Sequence, residues 1–279
     1  SGTSQAYDDH GHGSHCAGIT AGTGAVDEGL TSTGETPYRG VAPGATLVGV
    51  KVLDGGGSGS FAEVMKGMEW TIDYQEIYNI RSASMSLGGV WLIELTQEQE
   101  ERVTTLANEM VAAGISLMIA AGNSAAYGTI GTPGAAKDVI TVGATEDSRQ
   151  LAVYSSKGPT HEGQIKPNVA AIGSAVMSVE ANTANGYVSM SGTSMATPMV
   201  AGMAVLLHQA NPDLQPLMIR SILETTAEYR FLSHPVRPNN DYGWGFVEMD
   251  MALAEAIKYD ASISVELDPE TPMIYYEGN

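Results

Sequence analysis

Short apolar runs along the chain predict a series of strands. These runs are Ala45 to Leu53, Ser82 to Leu87, Ile115 to Ala121 and Asp138 to Ala144. The first run leads directly into the glycine-rich segment Gly55 to Gly59. Because each run is only a few residues long and mostly apolar, the pattern favours strands inside a sheet.

Segments with helical spacing alternate with these runs. Ser60 with Glu63, and Thr96 with Gln99, form capping boxes, in which two side chains satisfy free N–H groups at a helix start. Apolar residues then recur at helical spacing, at Phe61, Val64, Met65, Met68 and Ile72 and again at Val103, Leu106, Ala107 and Met110. Two further helices are predicted at about Ser194 to Gln209 and Pro216 to Ala227, since proline suits a first helical position.

Alternating strands and amphipathic helices predict an α/β fold with a mainly parallel sheet and helices on both faces. Active groups in such folds lie in loops at the carboxyl ends of strands. We assign residues 1–259 to one domain. Residues 260–279 contain five carboxylates and no Lys or Arg, which predicts an acidic tail or the start of a further domain. An edge strand through Ile263, Val265 and Leu267 is the alternative.

Composition narrows the range of partners. The chain has 279 residues, with 13 Lys plus Arg against 32 Asp plus Glu, so its formal charge of -19 disfavours nucleic acid and anionic membranes. Its longest apolar runs are shorter than the roughly 20 residues that cross a bilayer. The single cysteine, Cys16, excludes an internal disulfide. No basic-then-apolar leader opens the sequence, so we expect a secreted protein to be represented by a processed chain.

Three separated segments carry groups suited to acyl transfer. His12 lies among glycines, and a histidine with a pKa near neutrality can take a proton from a nucleophile and return it. Ser194 lies where a long helix begins, close to free N–H groups that favour negative charge on an attacked carbonyl oxygen. Asn123 ends an apolar strand with a neutral hydrogen-bond donor.

Each segment taken alone also has a plainer interpretation. A metal cluster, or histidines satisfied in the core, would account for His10, His12 and His15. Helix capping would account for Ser191, Thr193 or Ser194, and a turn cap would account for Asn123.

Taken together, the segments resemble the subtilisin-like serine proteases, from about Tyr7 to Lys258. The most specific match is the run Gly192 to Pro198, and Cys16 behind the histidines is similar to the proteinase K branch. The resemblance implies a three-layer subtilisin-like fold with Ser194 as nucleophile and His12 as general base and acid. It also implies that Asn123 is an oxyanion donor beside the Ser194 N–H, and that Cys16 is a buried free thiol rather than a nucleophile.

The resemblance extends to the substrate cleft. One wall of the first specificity pocket is assigned to Ser86, Leu87 and Gly88, and the opposite wall to Ala120, Ala121 and Gly122. The second edge that pairs with the substrate backbone is assigned to Gly57, Ser58 and Gly59. Glycines at such edges allow the close approach that an added peptide strand requires.

The aspartate that the family's triad needs is missing. It orients the histidine from an Asp-Thr-Gly or Asp-Ser-Gly turn after the first core strand, but only eleven residues precede His12 and neither motif occurs. Asp8 and Asp9 lie on the histidine's own approach loop, so we do not expect either to replace it. Asp9 could instead shape the second specificity pocket or be part of a solvated charge pair.

We therefore expect a large fragment of a nicked protease, with an N-terminal fragment carrying the aspartate bound as another chain. The polar Ser1 to Gln5 suits a nicking site. A truncated inactive fragment and a non-catalytic binding module are the alternatives. Transpeptidation through the same acyl-enzyme would need a lid that excludes water, and no long insertion offers one.

The resemblance implies polypeptide substrates, secretion, no organic cofactor, and a propeptide or protein inhibitor as a candidate partner. Structural calcium is a candidate, because the acidic loop from Asp27 and Glu28 to Glu35 offers oxygen ligands. Its spacing matches no defined calcium motif, so a solvated loop is the favoured interpretation. The metal ligands, if any, are unknown.

Overall fold

The computed structural model describes residues 7–25, 38–89, 96–229 and 236–258. Its helices are α1 (His12–Ala21), α2 (Phe61–Asp73), α3 (Gln75–Tyr78), α4 (Gln97–Ala112), α5 (Thr193–Ala210), α6 (Pro216–Thr225) and α7 (Met249–Lys258). Its strands are β1 (Ser82–Met85), β2 (Ser116–Ala120), β3 (Ile140–Thr145), β4 (Val169–Ile172), β5 (Val176–Val179) and β6 (Tyr187–Met190). The acidic loop 27–35 and the segment 260–279 lie outside the described residues.

A parallel sheet forms the centre of the fold, as the alternation of strands and helices predicts. Its four strands are ordered β1-β2-β3-β4, and every neighbouring pair is parallel. The register aligns Ser82 with Ser116 and Met85 with Ile119, so the strands end at one edge. The strands β5 and β6 form a separate antiparallel pair.

Helices cover the two faces of this sheet. One core cluster joins the sheet to α5, α6 and α7, and a second joins it to α2 and α4. Both predicted capping boxes form, with Ser60 and Thr96 accepting from the N–H groups of Glu63 and Gln99. Pro216 occupies the first turn of α6, as expected. Among the described residues, no helix combines the length and apolar character needed to cross a bilayer.

The prediction of a strand at Ala45 to Leu53 is wrong. These residues are not assigned to any strand, and no N–H of residues 46–53 bonds to the backbone of another described residue. Several of their apolar side chains are exposed, Leu47 to 52%. The physical reason is that a strand needs a partner, and neither this segment nor the free edge of β1 has one among the described residues.

This unpaired segment nevertheless lies over the same helices as β1. Val52 packs against the α2–α4 cluster together with Ala83 and Met85 of β1. Gly67 of α2 permits close approach to the segment, since a Cβ there would lie 2.5 Å from a methyl of Val52. The segment and β1 therefore flank one cluster without pairing.

A lysine occupies a core position near β4. Lys166 is 1% exposed, and its Nζ donates to the carbonyl of Val139 at 3.0 Å and to Oδ1 of Asn168 at 2.8 Å. Neither acceptor is charged. Burial, reinforced by the nearby Arg220, holds the pKa of Lys166 well below its ordinary value of 10.5, although Glu224 and Asp138 oppose the shift.

Lys166 should make stability depend on alkaline pH. The unfolded chain keeps this proton up to pH 10.5, whereas the folded protein releases it at lower pH. The free energy of unfolding is thus expected to rise with pH across that window, by at most about 1.4 kcal/mol per unit. Urea unfolding from pH 7.5 to 9.5 measures the slope. Lys166→Met should remove the rise, and parallel slopes for both proteins would contradict this assignment.

Candidate active site

Ser194 lies in the first turn of α5, at the edge of the sheet where β1 ends. Its Oγ faces the carbonyl of Ser86 at 3.4 Å, and the Ser86 hydroxyl donates to the carbonyl of Ser194 at 2.8 Å. The first N–H groups of a helix have no acceptor within the helix and carry partial positive charge. The sequence therefore brings a hydroxyl and free backbone donors to the same point.

Asn123 is held beside this serine by Thr193. The side-chain oxygen of Asn123 accepts from the N–H of Thr193 at 2.9 Å and from its hydroxyl at 3.1 Å. That hydroxyl in turn accepts from the N–H of Gly122 at 3.2 Å. Because Oδ1 is occupied, the Asn123 Nδ2 group remains the donor of this side chain. A Cβ on Gly192 would lie 3.3 Å from Nδ2, so glycine leaves that amide room.

His12 begins α1, which packs against α5. Cys16, one turn later, links the two helices: its Sγ lies 4.0 Å from His12 Nδ1 and 3.4 Å from the carbonyl oxygen of Ser194. Burial, with a smaller contribution from His10 and His15, lowers the pKa of His12, although Asp8 opposes the shift. The imidazole is thus neutral at neutral pH, the form that accepts a proton.

Cys16 is a poor nucleophile in this position. Burial raises the pKa of its thiol to about 11, which keeps it protonated at neutral pH. The thiol is free, as expected, but it is half-buried rather than fully buried.

The predicted pocket walls lie on neighbouring elements. Ser86, Leu87 and Gly88 follow β1, and Ala120 to Gly122 end and follow β2, its parallel neighbour. Gly122 has φ +106°, and a Cβ there would lie 2.8 Å from the Ser156 hydroxyl, so only glycine fits.

Residues 131 and 132 connect the chain next to one wall with the other wall. Thr132 and Gly89 exchange both backbone hydrogen bonds, at 2.9 and 3.0 Å, and the N–H of Gly131 donates to the carbonyl of Ala121 at 3.2 Å. The sequence reasoning missed these two residues, which we call the pocket floor. The signal was present in Gly131 to Gly134, where glycines flank a Thr-Pro pair as they flank the other substrate edges.

Comparison with known proteins identifies the family. The subtilase family profile matches residues 1–245. The chain belongs to the subtilase family. It is 40% identical to serine protease AprX of Bacillus subtilis (strain 168), over 88% of this chain and 58% of that protein. It is 36% identical to subtilisin DY of Bacillus licheniformis, over 81% of this chain and 74% of that protein.

Solved structures agree with this family assignment. Sphericase superposes with a TM-score of 0.75 at 31% identity, covering 88% of this chain and 80% of that one. A cold-adapted subtilisin-like serine proteinase superposes with a TM-score of 0.69 at 30% identity. The subtilisin-like α/β fold is therefore confirmed. The chain spans 58% of the length of the AprX relative and 50% of alkaline elastase YaB of Bacillus sp. (strain YaB).

In this subtilase chain, neither acid near His12 is directed at its ring. Asp8 accepts from the N–H groups of Gly11 at 2.8 Å and Ser14 at 2.7 Å, so it secures the first turn of α1. Partial burial raises the pKa of Asp8, but the hydrogen bonds together lower it by more. The net shift of the pKa is therefore downward. Asp9 forms an ion pair with Lys51 at 2.6 Å, which lowers the pKa of Asp9.

The metal-cluster interpretation of the three histidines is wrong. His15 is buried, and its Nε2 faces the carbonyl oxygens of Val176 at 3.1 Å and Val188 at 3.0 Å, so it joins α1 to the β5–β6 pair. Within the described ranges, no group of three or more His, Cys, Asp or Glu residues could hold a metal ion. The acidic loop 27–35, on which the calcium candidate rests, lies outside the described residues.

The second substrate edge follows the unpaired segment. Asp54 fixes this turn by accepting from the N–H groups of Gly56 and Ser58. Gly57 lies against the ring of His10, whose centroid is 6.2 Å from that of His12. The predicted edge, Gly57, Ser58 and Gly59, thus lies on the histidine side of the site.

Proposed function

We propose that this subtilase chain is the catalytic part of a serine endopeptidase that cleaves polypeptides through an acyl-enzyme. The observation that carries the proposal is the grouping at the start of α5, where Thr193 fixes the Asn123 amide beside Ser194. Protease names among the relatives support the same activity.

In the proposed reaction, the Ser194 Oγ attacks the carbonyl carbon of the scissile peptide bond while His12 takes the hydroxyl proton. Asn123 Nδ2 and the Ser194 N–H donate to the resulting oxyanion. His12 then gives its proton to the leaving amine, and water, activated by the same imidazole, hydrolyses the ester. Side chains and backbone supply all of this chemistry, so it needs no organic cofactor.

We further propose that an N-terminal segment, bound as a separate fragment, supplies the missing carboxylate. It would lie as a strand between β1 and residues 45–53, which flank one helical cluster and have no described strand between them. The four strands of the central sheet are parallel, so an added parallel strand would end at the edge where His12 lies. Secretion, and control by a propeptide or protein inhibitor, are proposed on the same family grounds.

A fluorophosphonate probe tests the proposed activity, because it labels a serine that is activated as a nucleophile. We expect one adduct on Ser194 and none in Ser194→Ala, read by intact mass under denaturing conditions. The labelling rate should fall as pH drops through the pKa of His12, since only neutral imidazole accepts the serine proton. Burial lowers that pKa, so the midpoint for the chain alone should lie below 6.5.

Two further results of the same experiment decide between the proposal and its alternatives. Cys16→Ala should label like the unsubstituted protein, because the thiol is not the nucleophile. A second, small polypeptide in the mass spectrum would support the two-chain form. A single 29.2 kDa species that does not label would contradict the proposal and favour a truncated fragment or a non-catalytic binding module.

A further inference from the structure

A carboxylate occupies a core position of α4. Glu100 lies on the same helix face as Val103 and Ala107, and its side chain is only 3% exposed. Burying a carboxylate costs free energy unless all its oxygens find partners. Only Oε1 is satisfied, since Oε2 is buried without a hydrogen bond. An apolar residue would suit this position better for stability alone.

The Oε1 atom of Glu100 connects two other parts of the fold. It accepts from the hydroxyl of Thr132 at 2.8 Å and lies 3.3 Å from Nδ1 of His161. Thr132 belongs to the pocket floor, whose backbone is bonded to Gly89, next to one wall of the first specificity pocket, and to Ala121 of the other wall. The hydrogen bond therefore attaches that floor to α4 from behind.

Glu100 also borders open space, whereas Thr132 itself is fully buried. A cavity of about 210 Å³ lies between α4 and residues 160–164 and also borders Ala135 and Ala136. The backbone bonds to Gly89 and Ala121 are the attachments of the floor that remain when the Glu100 hydrogen bond is lost.

We propose that Glu100 is a positioning residue that sets the depth of the first specificity pocket by holding Thr132 back from the pocket interior. The inference rests on the proposed function. Without this hydrogen bond the floor moves inward, and the pocket then takes large side chains less well. Small side chains, which do not reach the floor, are unaffected.

The decisive measurement is peptide binding to Ser194→Ala protein, which needs no catalysis. Two peptides that differ only in a C-terminal Phe or Ala are compared by calorimetry. Glu100→Met should weaken binding of the Phe peptide about tenfold, within the range of contacts in a hydrophobic pocket. Binding of the Ala peptide should change less than about twofold. In the active protein, the same loss should appear in KM rather than kcat.

Matched variants separate positioning from folding. Thr132→Val should reproduce Glu100→Met, and the double variant should lose no more than either alone, because both remove one interaction. Thr132→Ser keeps the donor hydroxyl, and Glu100→Gln keeps an acceptor oxygen. Both variants should therefore bind the two peptides like the unsubstituted chain. Glu101→Met removes a neighbouring exposed carboxylate and should have no effect. Urea unfolding should show Glu100→Met to be at least as stable as the unsubstituted chain.

Three outcomes would overturn the inference. Equal weakening of both peptides by Glu100→Met would mean a general structural role. Normal binding by Thr132→Val would mean that Glu100 does not act through the floor. Failure of both peptides to bind even with Glu100 intact would overturn the proposed function, and this inference with it.

Discussion

When an N-terminal strand ending in aspartate is bound beside β1, kcat for peptide cleavage is expected to be about 3 × 10⁴-fold higher than with asparagine at that position. The reason is that loss of the triad aspartate lowers kcat of a subtilisin by about this factor. The carboxylate accepts from Nδ1 of the histidine, selects the tautomer that can take the serine proton, and stabilises the imidazolium that forms. In the described chain, the Cys16 thiol lies 4.0 Å from His12 Nδ1.

The experiment compares three proteins that differ only before Ser1. One is the chain itself, and two carry an N-terminal extension with the corresponding strand of the Bacillus subtilis relative, ending in Asp or in Asn. Both extensions should cover residues 45–53 and raise the free energy of unfolding, because they bury side chains such as Leu47 and Val48. Only the Asp extension should restore kcat and raise the pKa of His12.

Separating the structural effect from the chemical one makes the comparison decisive. Equal activity with Asp and Asn would mean that the strand matters and the carboxylate does not. Equal activity of all three proteins would contradict the proposed triad. Protection of residues 46–53 from hydrogen exchange in both extended proteins is the check that the strand has paired.

Local signals predicted the helices well because their causes lie within a few residues. Ser60 and Glu63 satisfy one another's backbone groups, so α2 begins where the capping box predicts, and Pro216 starts α6 for a similarly local reason. The strand at Ala45 to Leu53 was predicted from equally local apolar character. A strand, however, depends on hydrogen bonds to a partner far away in sequence, which a local pattern does not report.

The same distinction holds at the site. Ser194 and Asn123 were found through motifs, but the role of Thr193 depends on a contact between residues 70 positions apart. The attachment of Thr132 to Glu100 is equally nonlocal, spanning 32 positions. Glu100 also interrupts an otherwise apolar helix face, and a carboxylate in a sequence suggests an exposed side chain. Only the fold shows that it is buried.

Replacing Asn123 with Leu should lower kcat by about 10² to 10³ and leave KM nearly unchanged, as removal of an oxyanion donor does in serine proteases of this kind. Leucine has nearly the same size but cannot donate to the oxyanion that forms during attack. The effect belongs to kcat because the hydrogen bond is strongest once the carbonyl oxygen carries charge. Steady-state kinetics on a peptide substrate, with the aspartate-bearing strand present, measure both constants.

Thr193 provides the matched test of how that donor is positioned. Thr193→Val removes the hydroxyl that both donates to Asn123 and accepts from Gly122, while it keeps the backbone N–H bond to Asn123 Oδ1. The amide should then be less well fixed, so kcat should fall, but by less than in Asn123→Leu. Thr193→Ser should restore most of the rate. Because Thr193 acts through Asn123, adding Thr193→Val to Asn123→Leu should lower kcat little further. Additive losses of kcat in the double variant would show that Thr193 stabilises the oxyanion by another route.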